Sequence, residues 1–135
     1  MSEVKRERYL ALALRLIGLL AVFGLYPLTL VWPSGWCWGA GRSEYLVMIL
    51  VIYAILGLFL LIAARRPERH TSLIAFAIWS SIGHGGIMAF QALSNPANLP
   101  HLYGDVPAVF AIAVLLGWLC PKALRLDFAP SPHNI

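Results

Sequence analysis

Charged residues form short clusters in this chain of 135 residues, and long apolar stretches separate the clusters. Only 12% of the residues are Asp, Glu, Lys or Arg, whereas a soluble domain of this size carries about 25%. With 60% of its residues hydrophobic, the chain has too few charges to cover a water-facing surface. The pattern therefore predicts a polytopic membrane protein built as one small domain.

Four apolar stretches predict four transmembrane helices. Three of them hold roughly 20 residues or slightly more, enough to cross a ~30 Å hydrocarbon core at ~1.5 Å per residue. We therefore predict an all-α, four-helix transmembrane bundle in residues 1–128, followed by a disordered tail at 129–135. The first three spans are predicted at about residues 9–32, 45–64 and 73–93.

The fourth apolar stretch, at about residues 106–120, is short. Its roughly 15 residues before Pro121 reach only ~22 Å, so a re-entrant segment is the alternative to a full span. Asp105 is a predicted N-cap for this helix, and Pro107 falls in the first turn, where proline is tolerated. The residues after Pro121 are predicted to continue the helix beyond a kink.

Basic residues are shared unequally between the two ends of the predicted helices. With four full spans, eight Lys and Arg residues lie at the end that carries both termini, and Arg42 alone lies at the other. Because Lys and Arg are retained in the cytoplasm, we predict an N-in, C-in protein, with both termini cytoplasmic. A re-entrant fourth segment would leave Lys122 and Arg125 outside, so the charges favour a full span.

The basic clusters also indicate which partners to expect. They lie beside the spans, where they set topology and contact anionic lipid headgroups, so membrane lipids are predicted partners. No nucleic-acid-reading module accompanies them, and we expect no nucleic-acid partner. Cys37 and Cys120 fall at opposite ends of the predicted bundle, too far apart for a disulfide, and form no metal motif.

Three tryptophans lie in the stretch WPSGWCWGAGR, residues 32–42, after the first span. Indole rings prefer the headgroup level of a bilayer, so the first interpretation is an interfacial aromatic belt. The alternative is a lid that stacks on a ligand at the outer face. The next outer stretch, residues 94–105, is rich in Pro and Asn and is predicted to be an ordered loop.

His84 lies near the middle of the third span, and ionisable residues inside spans usually face protein or water. Helical spacing puts a row of small residues on one side of this helix, along which another helix can approach closely. His84 and Gln91 lie beside that row, so both are predicted to face the bundle interior, while Ile78, Ile82 and Phe90 face lipid. The predicted packing row is Ala77, Ser81, Gly85 and Ala89.

The order of the helices predicts a polar pocket that opens toward the outer side. Two interpretations remain for His84 within it. The ring either forms a hydrogen bond that fixes helix packing, or it takes part in binding a ligand or moving a proton. The candidate pocket residues are Tyr26, Glu44, Tyr53, His84, Gln91 and Asp105.

No catalytic residue is assigned, because the sequence contains no nucleophile triad, phosphate loop or metalloprotease signature. An enzyme is therefore not the expected class. A haem held by two histidines of one chain is not expected either, since His70 lies ~21 Å along the helix from His84. His84 with Met88 is a weak pair for copper, and no metal site is predicted. A quinone remains a candidate cofactor.

Three segments of the sequence resemble an uncharacterised family of small bacterial membrane proteins, a domain of unknown function. They are "YP" late in the first span, "GWCWGAGRSEYLVMIL" leading into the second, and "HTSLIAFAIWSSIGHGGIMAFQAL" in the third. The likeness implies a four-helix membrane fold over nearly the whole chain, and with it a location in the bacterial inner membrane. The layout is also similar, more loosely, to the DoxX-like group, some members of which are small subunits of quinone-linked sulfur oxidation.

Three functions are compatible with this sequence. The first is a non-catalytic membrane protein, either an accessory subunit of a membrane complex or a self-associating bundle that forms a homo-oligomer. The second is a quinone- or lipid-binding, redox-linked component in which Tyr53, His84 and Gln91 contact a headgroup. The third is a small proton-coupled transporter that uses His84 and Glu44, although four helices are few for alternating access.

Overall fold

The computed structural model describes residues 1–39 and 43–125. Within these residues every regular element is a helix, and four helical stretches are long and apolar enough to cross a membrane. This confirms the predicted all-α fold with four spans, and the chain is a multi-pass membrane protein. Arg42 and the predicted disordered tail lie outside the described residues. The helices are α1 (Glu3–Val31), α2 (Pro33–Trp36), α3 (Glu44–Ala63), α4 (Thr71–Ser94) and α5 (Asp105–Leu119).

Helix α1 contains one π-helical turn, Leu20–Gly24, between two α-helical stretches. The backbone N–H of Leu25 donates to the carbonyl of Leu20, five residues earlier. Pro27 explains the position of this turn, because proline donates no hydrogen bond and its ring clashes with the carbonyl four residues before it. The wider turn accommodates that defect within a single long helix.

The fourth span is longer than its apolar stretch alone indicates. A 3-10 helix, Pro96–Tyr103, precedes α5, and together they form a candidate span of 24 residues, Pro96–Leu119. The N-cap position of α5 is Gly104, and Asp105 is the first residue of the helix. The predicted N-cap role of Asp105 is therefore wrong, because its carboxylate binds other donors, described below.

The predicted continuation of the fourth helix beyond Pro121 is also wrong. Helix α5 ends at Leu119, and the backbone of Cys120 is not helical, with φ −131° and ψ 69°. A residue that precedes proline is disfavoured in the helical region, which accounts for the break. A short 3-10 helix, Pro121–Leu124, follows and packs back on α4.

The tightly packed core lies at the basic end of the bundle, defined by residues 5–8, 65–69 and 122–125. All four long helices contribute to it, and alanines account for much of it. Lipid offers no hydrophobic drive for helices to associate, so close van der Waals packing of small side chains stabilises the bundle. The side chains buried most completely in this core are Leu14, Leu60, Ala63, Ile74, Ile78 and Leu116.

Helices α1 and α3 cross most closely at two glycines, Gly18 and Gly57. A Cβ added to Gly57 would lie 2.7 Å from the backbone oxygen of Gly18, and one added to Gly18 would lie 2.8 Å from that of Gly57. The two backbones are therefore in direct contact, which only glycine permits. Sequence analysis did not single out either residue.

The bundle is not equally closed on all sides. Contacts are extensive between α1 and α3 and between α4 and α5, and α1 also packs on α5, whereas α3 and α4 touch at few points. We call the boundary between α3 and α4 the open seam. Apolar side chains cover the outside of the bundle, as a lipid-facing surface requires.

We expect Gly57→Ala to destabilise the protein by about 2 kcal/mol, because the methyl group would overlap the Gly18 carbonyl and the two helices would have to separate. The measurement is SDS-induced unfolding in mixed micelles, followed by circular dichroism. Val51→Ala, at an exposed position of the same helix and outside the crossing, is the control. Equal stability of the two variants would contradict the crossing.

Candidate functional site

A buried polar cluster joins the segment after α1 to the start of α5. The Nε1–H of Trp38 donates to Oδ2 of Asp105 at 2.7 Å. Nδ1 of His101 lies 3.0 and 3.1 Å from the two carboxylate oxygens of Asp105. A carboxylate only accepts, so the proton of this contact is on Nδ1 of the histidine. We call these three residues the Trp38 latch.

The latch is buried and geometrically well defined. His101 is 2% exposed and Asp105 6% exposed. The indole of Trp38 stacks on the His101 imidazole, with ring centroids 3.9 Å apart and 22° between the planes. Asp105 also lies at the first residue of α5, where the helix dipole favours a negative charge. These interactions together compensate for removing a carboxylate from water.

Local sequence explains why the three side chains meet. His101 and Asp105 are four residues apart, on either side of the turn at Gly104, which brings the imidazole over the carboxylate. A Cβ on Gly104 would collide with the backbone of Gly35, so glycine allows the two segments to touch. That contact brings the segment after α2 close to the start of α5, so that Trp38 reaches His101 and Asp105.

Trp36, next to the latch in sequence, has a different environment. Its Nε1 atom is buried, and none of the described residues accepts a hydrogen bond from it. Gly35 packs on the ring of Trp32, where a Cβ would lie 2.8 Å from the indole. The tryptophan segment therefore includes packed residues, and an interfacial belt formed by the others stays a prediction.

Tyr53 and His84 meet across the open seam. Their rings lie 5.8 Å apart between centroids in an edge-to-face arrangement, with 62° between the planes. Tyr53 is the tenth residue of α3 and His84 the fourteenth of α4, so both lie near the middle of their spans. Both are partly buried.

The remaining candidates of the predicted pocket are at exposed positions. Tyr26 is 47% exposed, and Glu44 and Gln91 are exposed at the first turn of α3 and near the end of α4. The structure thus brings Tyr53 and His84 together and places Asp105 with Trp38 and His101. That all six candidates form one pocket stays a prediction.

The predicted packing row on α4 divides into two environments. Ala77 and Gly85 are buried, and a Cβ on Gly85 would lie 3.2 Å from the Phe110 ring of α5. Ser81 and Ala89 are only partly buried. The expectation that Ile78 faces lipid is wrong, because its side chain is fully buried in the core. Ile82 and Phe90 are exposed.

Two further glycines of α4 face away from the bundle. Gly83 and Gly86 are exposed, and a Cβ built on either would meet no atom within 4 Å. Residues three, four, seven and eleven apart share one face of a helix, which puts both glycines in a column with Trp79 and Phe90. Those two rings are 42% and 69% exposed. We call these four residues the glycine notch.

Within the described residues, no group of three or more His, Cys, Asp or Glu side chains converges as a metal site would require. No disulfide joins Cys37 and Cys120. Tyr53 and His84 offer a hydroxyl and an imidazole near the middle of their spans.

The family of this chain follows from a comparison with models of known protein families. Residues 5–131 match the model of a family of unknown function, DUF6632. The chain belongs to this family. The match covers nearly all of the four spans, the Trp38 latch, the Tyr53–His84 pair and the glycine notch. It confirms the predicted uncharacterised family. The comparison with curated proteins and the comparison with solved structures gave no match.

Sequence reasoning missed two of the three latch residues of this DUF6632 protein. His101 was placed outside the spans, in a loop, and Trp38 was interpreted as part of an aromatic belt or a lid. The spacing His101–Asp105 was the available signal, since residues four apart can meet on a helix. Trp38 could not be paired with them, because 67 residues separate it from Asp105.

We expect Asp105→Ala to lower the free energy of unfolding by about 3 kcal/mol, because it leaves the Trp38 and His101 donors buried without an acceptor. SDS titration in mixed micelles measures this change. Trp38→Phe keeps the ring on His101 but removes one donor, and it should cost about 1 kcal/mol. Glu44→Ala, an exposed acidic residue in the first turn of α3, is the control. A loss for Asp105→Ala no larger than for Glu44→Ala would contradict the latch.

Proposed function

We propose that this protein is a non-catalytic membrane bundle that self-associates through the glycine notch of α4. The observation that carries the proposal is the open space around Gly83 and Gly86. Small residues on the outside of a transmembrane helix let a second helix approach to backbone distance. Two glycines there would otherwise only weaken the helix, by about 1 kcal/mol each relative to alanine in water.

The shape of the notch supports pairing between two copies of α4. Trp79 and Phe90, 11 residues apart, lie on either side of the two glycines along the column, at a spacing of ~16 Å. Around a twofold axis along the membrane normal, the same face of both copies meets, so each notch accepts the other helix. Gly85 is not available for this contact because Phe110 already covers it.

The proposal includes the orientation and the membrane. Both described terminal segments lie at the basic end, together with eight Lys and Arg residues, so we propose that this end is cytoplasmic in a bacterial inner membrane. The latch then lies at the outer side. A C2 pair with both chains in the same orientation satisfies this topology.

A test of self-association is the double substitution Gly83→Leu/Gly86→Leu. It fills the notch without touching the core, and we expect the dissociation constant of the dimer to rise at least about tenfold. Förster transfer between labelled copies, measured as the protein is diluted in lipid vesicles, gives that constant. Ala111→Leu, at an exposed position of α5, is the matched control. A wild type that is monomeric at all dilutions would disprove self-association.

A second function has its own observation. The edge-to-face pair of Tyr53 and His84 lies at the open seam, where α3 and α4 otherwise make few contacts. Two polar rings at mid-membrane depth could bind the headgroup of a quinone that enters from lipid. This is the redox-linked alternative suggested by the looser likeness to DoxX-like proteins. Exposed Glu44, at the end of α3, gives the transporter alternative no comparable support.

Lipid extraction and native mass spectrometry of gently purified protein test quinone binding. The alternative predicts a stoichiometric quinone in the wild type that is lost in His84→Ala, because the imidazole contact is removed. His70→Ala, at the basic end of α4, should keep it and serves as the control. A wild type without quinone, or an equal loss in both variants, would remove this candidate.

A further inference from the structure

An apolar groove runs along the outside of the bundle between α4 and α5, and neither the Trp38 latch nor the Tyr53–His84 pair lines it. It has a volume of about 360 Å³ and opens along its length to the surroundings of the protein. From Phe110 to Trp118 it follows nine residues of α5, ~12 Å of helix. Its lining residues from these two helices include Ile78, Ile82, Phe110, Val114, Gly117 and Trp118.

The 3-10 helix after α5 ends this groove at the basic end of the bundle. Leu124 lines the groove and packs toward Gly117, where an added Cβ would lie 3.3 Å from its side chain. Glycine at position 117 therefore makes the room in which Leu124 lies. The 3-10 helix packs on α4, which fixes the end of the groove relative to both walls.

Charge at this end complements an anion. Lys122 and Arg125 are exposed and lie on either side of Leu124 in sequence. Residues 106–125 contain these two basic residues and no acidic one. Arg69, which comes just before α4, adds a third exposed positive charge at the same end, and Glu68 beside it is the acidic residue of that turn. The combination is an apolar groove that ends in positive charge.

We propose that the α4–α5 groove binds one anionic phospholipid, with an acyl chain along α5 and the phosphate headgroup at Lys122 and Arg125. In the groove, the acyl chain exchanges its contacts with mobile neighbouring lipids for van der Waals contacts with a fixed apolar surface. The basic side chains attract an anionic headgroup and gain little from a zwitterionic one. This site does not depend on self-association or on quinone binding.

The experiment measures binding of phosphatidylglycerol to the full-length protein by native mass spectrometry in detergent, with phosphatidylcholine of the same acyl chains as the reference lipid. The wild type should bind one phosphatidylglycerol at least about tenfold more tightly than phosphatidylcholine. Lys122→Gln/Arg125→Gln should reduce that preference about tenfold. Arg65 and Arg66 are exposed at the same end of the bundle but do not line the groove. Arg65→Gln/Arg66→Gln therefore removes the same amount of charge and should leave the preference for phosphatidylglycerol unchanged.

A second pair of variants tests the groove itself. Val114→Trp fills the groove from an exposed position and should weaken binding of phosphatidylglycerol about tenfold, whereas Val51→Trp on the exposed face of α3 should not. If Lys122→Gln/Arg125→Gln and Arg65→Gln/Arg66→Gln reduced the preference for phosphatidylglycerol equally, the attraction would be diffuse and the site would be overturned. Unchanged binding in Val114→Trp would overturn the placement of the acyl chain.

Discussion

Close backbone contact between Gly18 and Gly57 is the interaction on which the arrangement of this bundle depends. Apolar side chains gain almost nothing by leaving lipid for protein, so helices in a membrane are held by packing density rather than by the hydrophobic effect. Two glycines in contact let the backbones of α1 and α3 touch directly. The alanines of the core then close the basic end around this crossing, and the open seam lies on the other side of α3.

The two ends of the molecule are consequently stabilised by different interactions. The basic end is held by small apolar side chains, and the opposite end by the Trp38 latch, where one carboxylate accepts from an indole and an imidazole. A buried carboxylate is tolerated there because donors and the dipole of α5 compensate for the lost hydration. Apolar packing is non-directional, whereas the latch fixes one geometry of the tryptophan segment. The polar Tyr53–His84 pair lies between these ends, at the open seam.

Much of the fold could be predicted from apolar run length, because a span needs about 20 apolar residues and lipid leaves the backbone no alternative to a helix. Prediction was weakest where polar and turn-forming residues end the spans. Residues 94–105 were assigned to an outer loop, but Pro96–Tyr103 within this stretch forms a 3-10 helix that lengthens the fourth span. The candidate site was half predicted: Tyr53, His84 and Asp105 were named, while Trp38 and His101 were not placed with them.

The sequence by itself determined the number of helices, the apolar outer surface and the unequal distribution of positive charge, since each of these is set by composition along the chain. Only the tertiary structure decided which glycines of α4 and its neighbours are packed and which are open. Gly57 and Gly85 are covered by α1 and α5, whereas Gly83 and Gly86 face outward. Helical periodicity places these residues around one axis, but the neighbour that each face meets depends on contacts between helices far apart in sequence. For the same reason, the contact between Trp38 and Asp105 could not be predicted from the sequence.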